Sequence, residues 1–331
     1  MLLSRFAESL YWAGRYLERA ETTARLIKVH TELFLDLPRS AGVGWSPLLA
    51  VTGSNEEFLG RHAGPEEEDV VGFLATDPKN LGSILASISQ ARVNLRVSRV
   101  LLPSPSWEVV TDLHGWASAT SEEAIDRRSR LRWMDSVISD CHLLVGMLAG
   151  TMCDDEAYAF LQIGRHLERA DMTTRVLDVQ AGILLSQRAE NPGGTGDIPY
   201  HDVTWMSVLR SLCAHQMFRR SVGCGVSGPD ALRFLLQDAQ FPRSVEFCLA
   251  SASRSLLQLP RSALPMARCA RIHTTLRDLT VTDIRTPDEL HELSEALQEG
   301  IGDLHDTLAQ AYFRLSPEPV LSSDPAMLEL S

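Results

Sequence analysis

The chain has 331 residues, enough for one large or two ordinary domains, and carries a net charge of −12 at pH 7. Hydrophobic residues make up 44% and charged residues 22%, a balance typical of a globular protein that builds its core without disulfides or metals. The acidic excess argues against general nucleic-acid binding, because neutralising phosphates requires clustered cations. Only Lys28 and Lys79 are lysines, and the arginines that supply the other cations suit bidentate contacts to carboxylate or phosphate.

The cysteines and the N-terminal segment predict a cytoplasmic protein. None of the six cysteines forms a C-x-x-C pair, and most lie in apolar helical stretches, where a free thiol behaves as a small hydrophobe. This usage fits a reducing compartment. The N-terminal segment has scattered charges and no apolar core of a signal peptide. No apolar run is long enough for a membrane span, so a membrane is not an expected partner. Nucleic acid is not an expected partner either, because the net charge is acidic.

The first predicted element is a long amphipathic helix. Its apolar residues recur at alternating spacings of three and four from Leu3 to Ile27, which predicts a helix that packs along one narrow apolar seam. The helix is expected to end near Pro38. The same periodicity returns from Phe160 to Leu184, so a second helix of the same kind is expected in the middle of the chain.

These two helices share more than periodicity. Residues 14–27 read GRYLERAETTARLI and residues 164–177 read GRHLERADMTTRVL, with eight of the 14 positions identical. Two further pairs of segments recur in the same order, at offsets of 160 and 161: Trp45-x-x-x-Leu49 with Trp205-x-x-x-Leu209, and Phe73-Leu74-x-x-Asp77 with Ser83-Ile84 against Phe234-Leu235-x-x-Asp238 with Ser244-Val245. Three matches in register predict a tandem duplication.

The sequence therefore predicts an all-α fold, a single multi-helix bundle made of two tandem pseudo-symmetric halves. One domain is expected over residues 1–315, with halves of about 1–152 and 153–315, and residues 316–331 are expected to be a disordered tail. The segment 190–199 is predicted to be a loop. Further helices are predicted at about 80–101, 122–150, 242–259 and 286–315.

Both copies of the Glu-Arg helix carry charge away from the apolar seam. When the seam is assigned to heptad positions a and d, the repeated charges fall on the opposite face. Packing of the seam requires no particular residue there, yet the charges recur. The predicted polar network consists of Arg15, Glu18, Arg19 and Arg25 in the first copy and of Arg165, Glu168, Arg169, Arg175 and the neighbouring Asp171 in the second.

Two explanations of this network compete. The structural one is ion pairing, either within a helix, as between Arg15 and Glu18, or between helices, as between Glu18 and Arg169. The functional one is an anion or carboxylate site lined by both helices, with arginine as the binding group and Glu18 or Glu168 as an acid or base. The sequence leaves both explanations open.

A second candidate site lies at Arg243 and Ser244. Pro242 favours a helix start there, and the free backbone N–H groups of a helix start can bind an anion together with these side chains. The alternative is a helix start with a capping serine. The sequence contains no phosphate-binding loop, no serine-nucleophile elbow, no zinc spacing and no paired carboxylate–histidine motif of di-iron bundles, so no metal or cofactor is predicted and the catalytic residues stay unknown.

At the two Glu-Arg helices the chain resembles the Alpha-E family of helical domains, which is named for its Glu-Arg motif and has no established activity. The chain departs from the family pattern at residues 91–96, which read ARVNLR where the family usually has Ala-Arg-Glu-Asn-Ala-Arg. The acid of the family pattern is replaced by Val93. The resemblance extends over Leu10-Tyr11-Trp12, Arg15 to Arg25, Asp77 to Arg99, Phe160 to Leu177, Trp205, and Phe241 to Val245.

The resemblance implies an association rather than a reaction. Members of the family occur beside, or fused to, circularly permuted ATP-grasp proteins, often with transglutaminase-like proteins, in bacterial systems inferred to make amide or peptide bonds. The expected function is therefore an accessory or scaffold protein for an ATP-grasp ligase, without catalysis of its own. The alternative is an enzyme or a binding domain for a small anion or carboxylate that uses the repeated Arg/Glu faces.

Overall fold

The computed structural model describes residues 2–37, 44–185, 201–223 and 225–314. All regular secondary structure in these ranges is helical, and they contain no strand. The prediction of an all-α protein is confirmed. The predicted loop at 190–199 and the predicted tail at 316–331 lie outside the described residues.

The first part of the chain contributes a long helix and several shorter ones. Up to residue 151 the described α-helices are α1 (Ser4–Asp36), α2 (Ser46–Val51), α3 (Asn55–Leu59), α4 (Glu67–Ala75), α5 (Ile84–Val97), α6 (Ser104–Ala119), α7 (Ser121–Ile125) and α8 (Arg130–Thr151). The helix predicted at 122–150 is interrupted, because the Asp126 carboxylate accepts the backbone N–H groups of Arg128 and Ser129 and forms a turn there.

The second part begins with another long helix. Its described α-helices are α9 (Glu156–Val176), α10 (His201–Ser211), α11 (His215–Ser221), α12 (Gly228–Gln237), α13 (Val245–Leu256), α14 (Ala263–Asp278) and α15 (Pro287–Leu308). The helices predicted at 80–101 and 242–259 begin later than expected, because Ser83 and Ser244 are N-caps whose hydroxyls accept a backbone N–H from the first turn. Helix α15 begins with a Thr286–Glu289 capping box.

Helix α1 lies at the centre of the molecule and is covered on several sides. It packs mainly against α9, α5 and α8. The apolar seam is buried as predicted from Leu10 to Ile27, but Glu18, Glu21 and Thr22 on other faces are buried as well. The expectation of a single packed face is therefore wrong. Polar groups that find partners across the interface can be buried as well as apolar ones, and the seam alone does not reveal this.

Helices α1 and α9 cross in direct backbone contact at two glycines. A Cβ atom added to Gly14 would overlap the carbonyl oxygen of Leu161, and one added to Gly164 would overlap that of Tyr11. Glycine at both positions lets the two backbones touch. The Glu-Arg residues, which follow each glycine by one turn, consequently face each other across the crossing.

One large cluster of buried apolar side chains includes residues from both parts of the chain. It extends from Leu10 on α1 through Trp133 and Trp205 to Leu304 on α15. Among the described helices, none combines the length and apolar character that crossing a bilayer requires.

Candidate functional site: a buried glutamate–arginine network

The Glu-Arg motifs of α1 and α9 pair with each other. Arg169 donates from Nε to Glu18 Oε1 and from an Nη to Glu18 Oε2, both at 2.7 Å. In the reciprocal direction, Arg19 donates from Nε to Glu168 Oε1 at 2.6 Å. Glu18 and Glu168 are 4% and 1% exposed. The structure thus places the inter-helix pair considered from the sequence, Glu18 with Arg169, together with its mirror pair.

Each glutamate has a second arginine of its partner helix nearby. Arg15 Nη1 lies 3.5 Å from Glu168 Oε2, and Arg165 Nε lies 3.8 Å from Glu18 Oε2. Both arginines are mostly buried, with side chains 11% exposed. These positions, one turn before the glutamates, extend the network along the helix pair.

Arg243 joins the network from the loop that precedes α13. Its guanidinium contacts Glu18 Oε1 at 2.9 Å and also pairs with Glu21 Oε2. The Ser244 hydroxyl donates to the carbonyl of Asp238 and caps α13. Both residues of the anion site predicted from the sequence are therefore engaged with groups of the protein itself. Sequence reasoning did not connect Arg243 with the Glu-Arg helices.

The outer members of the network pair along their own helices. Arg25 pairs with Glu21, and Arg175 donates from Nε to Asp171 Oδ2 at 2.9 Å. His142 of α8 also approaches, with Nε2 at 3.3 Å from Glu21 Oε1. By these contacts the predicted residues fall into three neighbouring groups. Glu18 is joined to Arg165 and Arg169 and, through Arg243 and Glu21, to Arg25. Glu168 pairs with Arg15 and Arg19, and Asp171 pairs with Arg175.

The arginines hold the buried carboxylates in their charged form. Burial alone would raise the pKa of Glu18, but Arg169 and Arg243 outweigh it and lower that pKa from 4.5 to about 2. The pKa of Glu21 is lowered in the same way, against burial, chiefly by Arg243. Burial and the neighbouring Arg169 lower the pKa of Arg165 to about 10. A general acid or base works best with a pKa near the working pH, so Glu18 is suited to ion pairing rather than to proton transfer.

The lowered pKa of Glu18 predicts a loss of stability in acid. A carboxyl group whose pKa is lower in the folded state stabilises the fold fully above its unfolded pKa, near 4.5, and loses this contribution as the pH falls towards about 2. The urea midpoint is expected to fall as the pH is lowered from 4.5 to about 2. In Glu18→Gln the same decrease should be shallower, and equal slopes in the two proteins would contradict the assignment.

The described part of the chain contains no group of three or more His, Cys, Asp or Glu side chains placed to hold a metal ion. The five cysteines in that part, Cys141, Cys153, Cys213, Cys248 and Cys269, are free thiols. The groups that pair in the Glu-Arg helices are carboxylates and guanidinium groups.

The fold and this cluster define a class of helical protein in which a doubled Glu-Arg motif joins two long helices at their crossing. The sequence model of the Alpha-E family, described as a predicted alpha-helical domain with a conserved ER motif, matches residues 2–313. The chain belongs to the Alpha-E family.

The chain is also similar to uncharacterised proteins of Mycobacterium bovis and of Mycobacterium tuberculosis. Each is 25% identical over an alignment that covers 94% of this chain and 37% of the relative. The chain thus spans little more than a third of the length of these curated relatives. No solved structure matches it at a significant level.

Proposed function

We propose that the protein is a non-catalytic accessory or scaffold protein that works with an ATP-grasp ligase forming amide or peptide bonds. The observation that carries this proposal is the pairing of the Glu-Arg motif: Glu18 and Glu168, the two acids that could have served catalysis, face arginines of the opposite helix. A motif used in this way orients helices. The family resemblance implies an association with ATP-grasp proteins, and the proposed partner rests on that implication.

The length of the relatives supports a role beside another protein. In each of them the region similar to this chain covers 37% of the polypeptide, so most of the relative lies outside the region of similarity. This additional sequence supports a proposal in which the chain works with a second protein. A transglutaminase-like protein is the second expected partner.

The free thiols fit the bacterial cytoplasm as the compartment.

We further propose that the bundle arose by tandem duplication, with halves of about 1–152 and 153–315. The glycine contacts at the α1–α9 crossing are reciprocal, since Gly14 meets Leu161 and Gly164 meets Tyr11, 150 positions apart in both comparisons. A contact between i and j that recurs between j and i is expected of a two-fold arrangement.

Two loop-to-helix segments support the same duplication. The hydroxyl of Ser83 donates to the carbonyl of Asp77, and the hydroxyl of Ser244 donates to the carbonyl of Asp238. Each aspartate also accepts the backbone N–H two residues further on. The matched sequences thus have matched hydrogen bonds at corresponding positions.

The ligase partnership predicts a stable complex. Co-expression with the ATP-grasp protein from the same genome and size-exclusion chromatography at micromolar concentration should give one co-eluting species. ATP hydrolysis by the ligase should change when the helical protein is added, whereas an unrelated helical protein of similar size should have no effect. Separate elution together with unchanged hydrolysis would overturn the proposal.

A further inference from the structure

A cavity of about 290 Å³ lies beside the α1–α9 pair, on the side away from Arg243. It is bordered by α1, α9, the turn after α2 and the loop between α4 and α5. Its polar lining includes Thr23, Ser54, Asn80, Glu168 and Asp171, and Gly82 forms part of the loop wall. The cavity therefore opens onto the carboxylates of the second Glu-Arg motif.

Two residues that line this cavity carry buried oxygen atoms without hydrogen-bond partners. Glu168 Oε2 accepts no hydrogen bond, and Arg15 Nη1 lies 3.5 Å from it. The Thr23 hydroxyl is also unpartnered. Both residues are 1% exposed. Leaving a buried carboxylate oxygen without a donor is costly, and an N–H donor placed in the cavity would remove that cost.

The first Glu-Arg motif has such a donor. Its two acids, Glu18 and Glu21, receive the guanidinium of Arg243. The corresponding acids of the second motif are Glu168 and Asp171, 150 positions later. Among the described residues, Glu168 and Asp171 pair with Arg15, Arg19 and Arg175, but no arginine contacts both acids as Arg243 contacts both Glu18 and Glu21.

The reason is visible in the matched loops. When Asp77 and Ser83 are set against Asp238 and Ser244, the residue just before the capping serine is Gly82 in one loop and Arg243 in the other. The aspartate and the capping serine of each loop make the same hydrogen bonds to the backbone. The cavity thus occupies the place that corresponds to the arginine side chain.

The charges in the cavity allow a cation to bind. Arg19 and Arg175 also border it, but each already pairs with one oxygen of an acid, Glu168 Oε1 and Asp171 Oδ2 respectively. On the other side of the helix pair, Glu18 accepts Arg169 and Arg243 at once. A carboxylate in this network therefore accommodates a second guanidinium next to the first.

We propose that this cavity is a binding site for a guanidinium or primary ammonium group, which pairs with Glu168 and Asp171 as Arg243 pairs with Glu18 and Glu21. The cation can belong to a small molecule or to an arginine side chain of a peptide. The site is independent of the ligase partnership, and its test requires only this protein.

Agmatine, a small cation with both a guanidinium and an ammonium group, is the first probe, measured by titration calorimetry at low salt. The peptide Gly-Arg-Gly distinguishes a side chain from a free cation as the source, and succinate tests for an anion instead. Saturable binding of agmatine or the peptide, with no binding of succinate, is expected. If neither agmatine nor the peptide binds at 10 mM, or if only succinate binds, the proposal is overturned.

Gly82→Arg is the decisive variant, because it places an arginine at the position that corresponds to Arg243. It is expected to abolish cation binding and to raise the melting temperature. Gly82→Ala is the matched control: an added Cβ meets only Asn80 Oδ1, at 3.2 Å, so binding should persist. Unchanged agmatine affinity in a folded Gly82→Arg protein would refute the site.

Asp171→Asn tests the same site without filling the cavity. Asp171 lies at the rim and its partner Arg175 is a third exposed, so the variant should remain folded, which circular dichroism checks. Agmatine affinity is expected to fall at least tenfold, and an unchanged affinity would count against the proposed pairing.

Discussion

Gly164→Ala is expected to destabilise the protein by about 3 kcal/mol or more, the upper end of what overpacking a core costs. The added Cβ would overlap the carbonyl oxygen of Tyr11 and lie 2.9 Å from its carbonyl carbon. These are backbone atoms of a central helix, so no side-chain rotation relieves the overlap. The two helices would have to separate, which weakens every ion pair between them.

Urea unfolding followed by circular dichroism measures this effect. Gly146→Ala is the matched control, because Gly146 lies in the interior of α8 and an added Cβ meets nothing within 4 Å. Removing a helical glycine of this kind stabilises a helix by about 0.5–1 kcal/mol. The two alanine variants should therefore shift the urea midpoint in opposite directions, and a Gly164→Ala protein as stable as wild type would show that the helices do not cross in backbone contact.

Glu18→Gln is expected to lower the free energy of unfolding by about 3–5 kcal/mol, because removing one partner of a buried ion pair leaves the other charge uncompensated. Arg169 and Arg243 would then face a neutral amide, with side chains 11% and 7% exposed. Glu168→Gln should cost less, because its partner Arg19 is 27% exposed and can turn towards water. The difference between the two variants separates the more buried half of the network from the less buried half.

The measurement is the free energy of unfolding from urea titrations at pH 7. Arg233→Gln serves as the control, since it removes an ion pair with Asp230 in which both side chains are well exposed, and such pairs contribute about 1 kcal/mol or less. If Glu18→Gln were no more damaging than Arg233→Gln, the pairing with Arg169 and Arg243 would not stabilise the fold. A double-mutant cycle of Glu18→Gln with Arg169→Gln would measure the interaction energy between these two side chains.

Periodicity was sufficient to predict the helical class and the two long helices, because their apolar spacing runs over many turns. Helix ends were less accurate, since caps such as Ser244 act through a single hydrogen bond. The burial of Glu18 was beyond the heptad pattern. That pattern identifies one apolar face and carries no information on whether another helix covers the opposite one.

The candidate site was predicted in part. The repeated acids and arginines of α1 and α9 were identified from the sequence, and the structure brings them together. The sequence predicts an anion site at Arg243 and Ser244 because a helix start has free backbone N–H groups, whereas the Arg243 guanidinium pairs with the carboxylates of Glu18 and Glu21. A signal was present in the matched loops: setting Gly82 against Arg243 reveals a cation in one copy that the other lacks.

The central position of α1 also has a consequence for folding. Its partner α9 lies about 150 residues later in the chain, and ribosomes add about 5–20 residues per second. During synthesis, roughly 8–30 s therefore pass between the addition of Gly14 and Glu18 and the addition of their native partners on α9. Contacts so distant in sequence also slow refolding, because a long loop must close first. Helix α1 is thus synthesised long before α9 completes its packing.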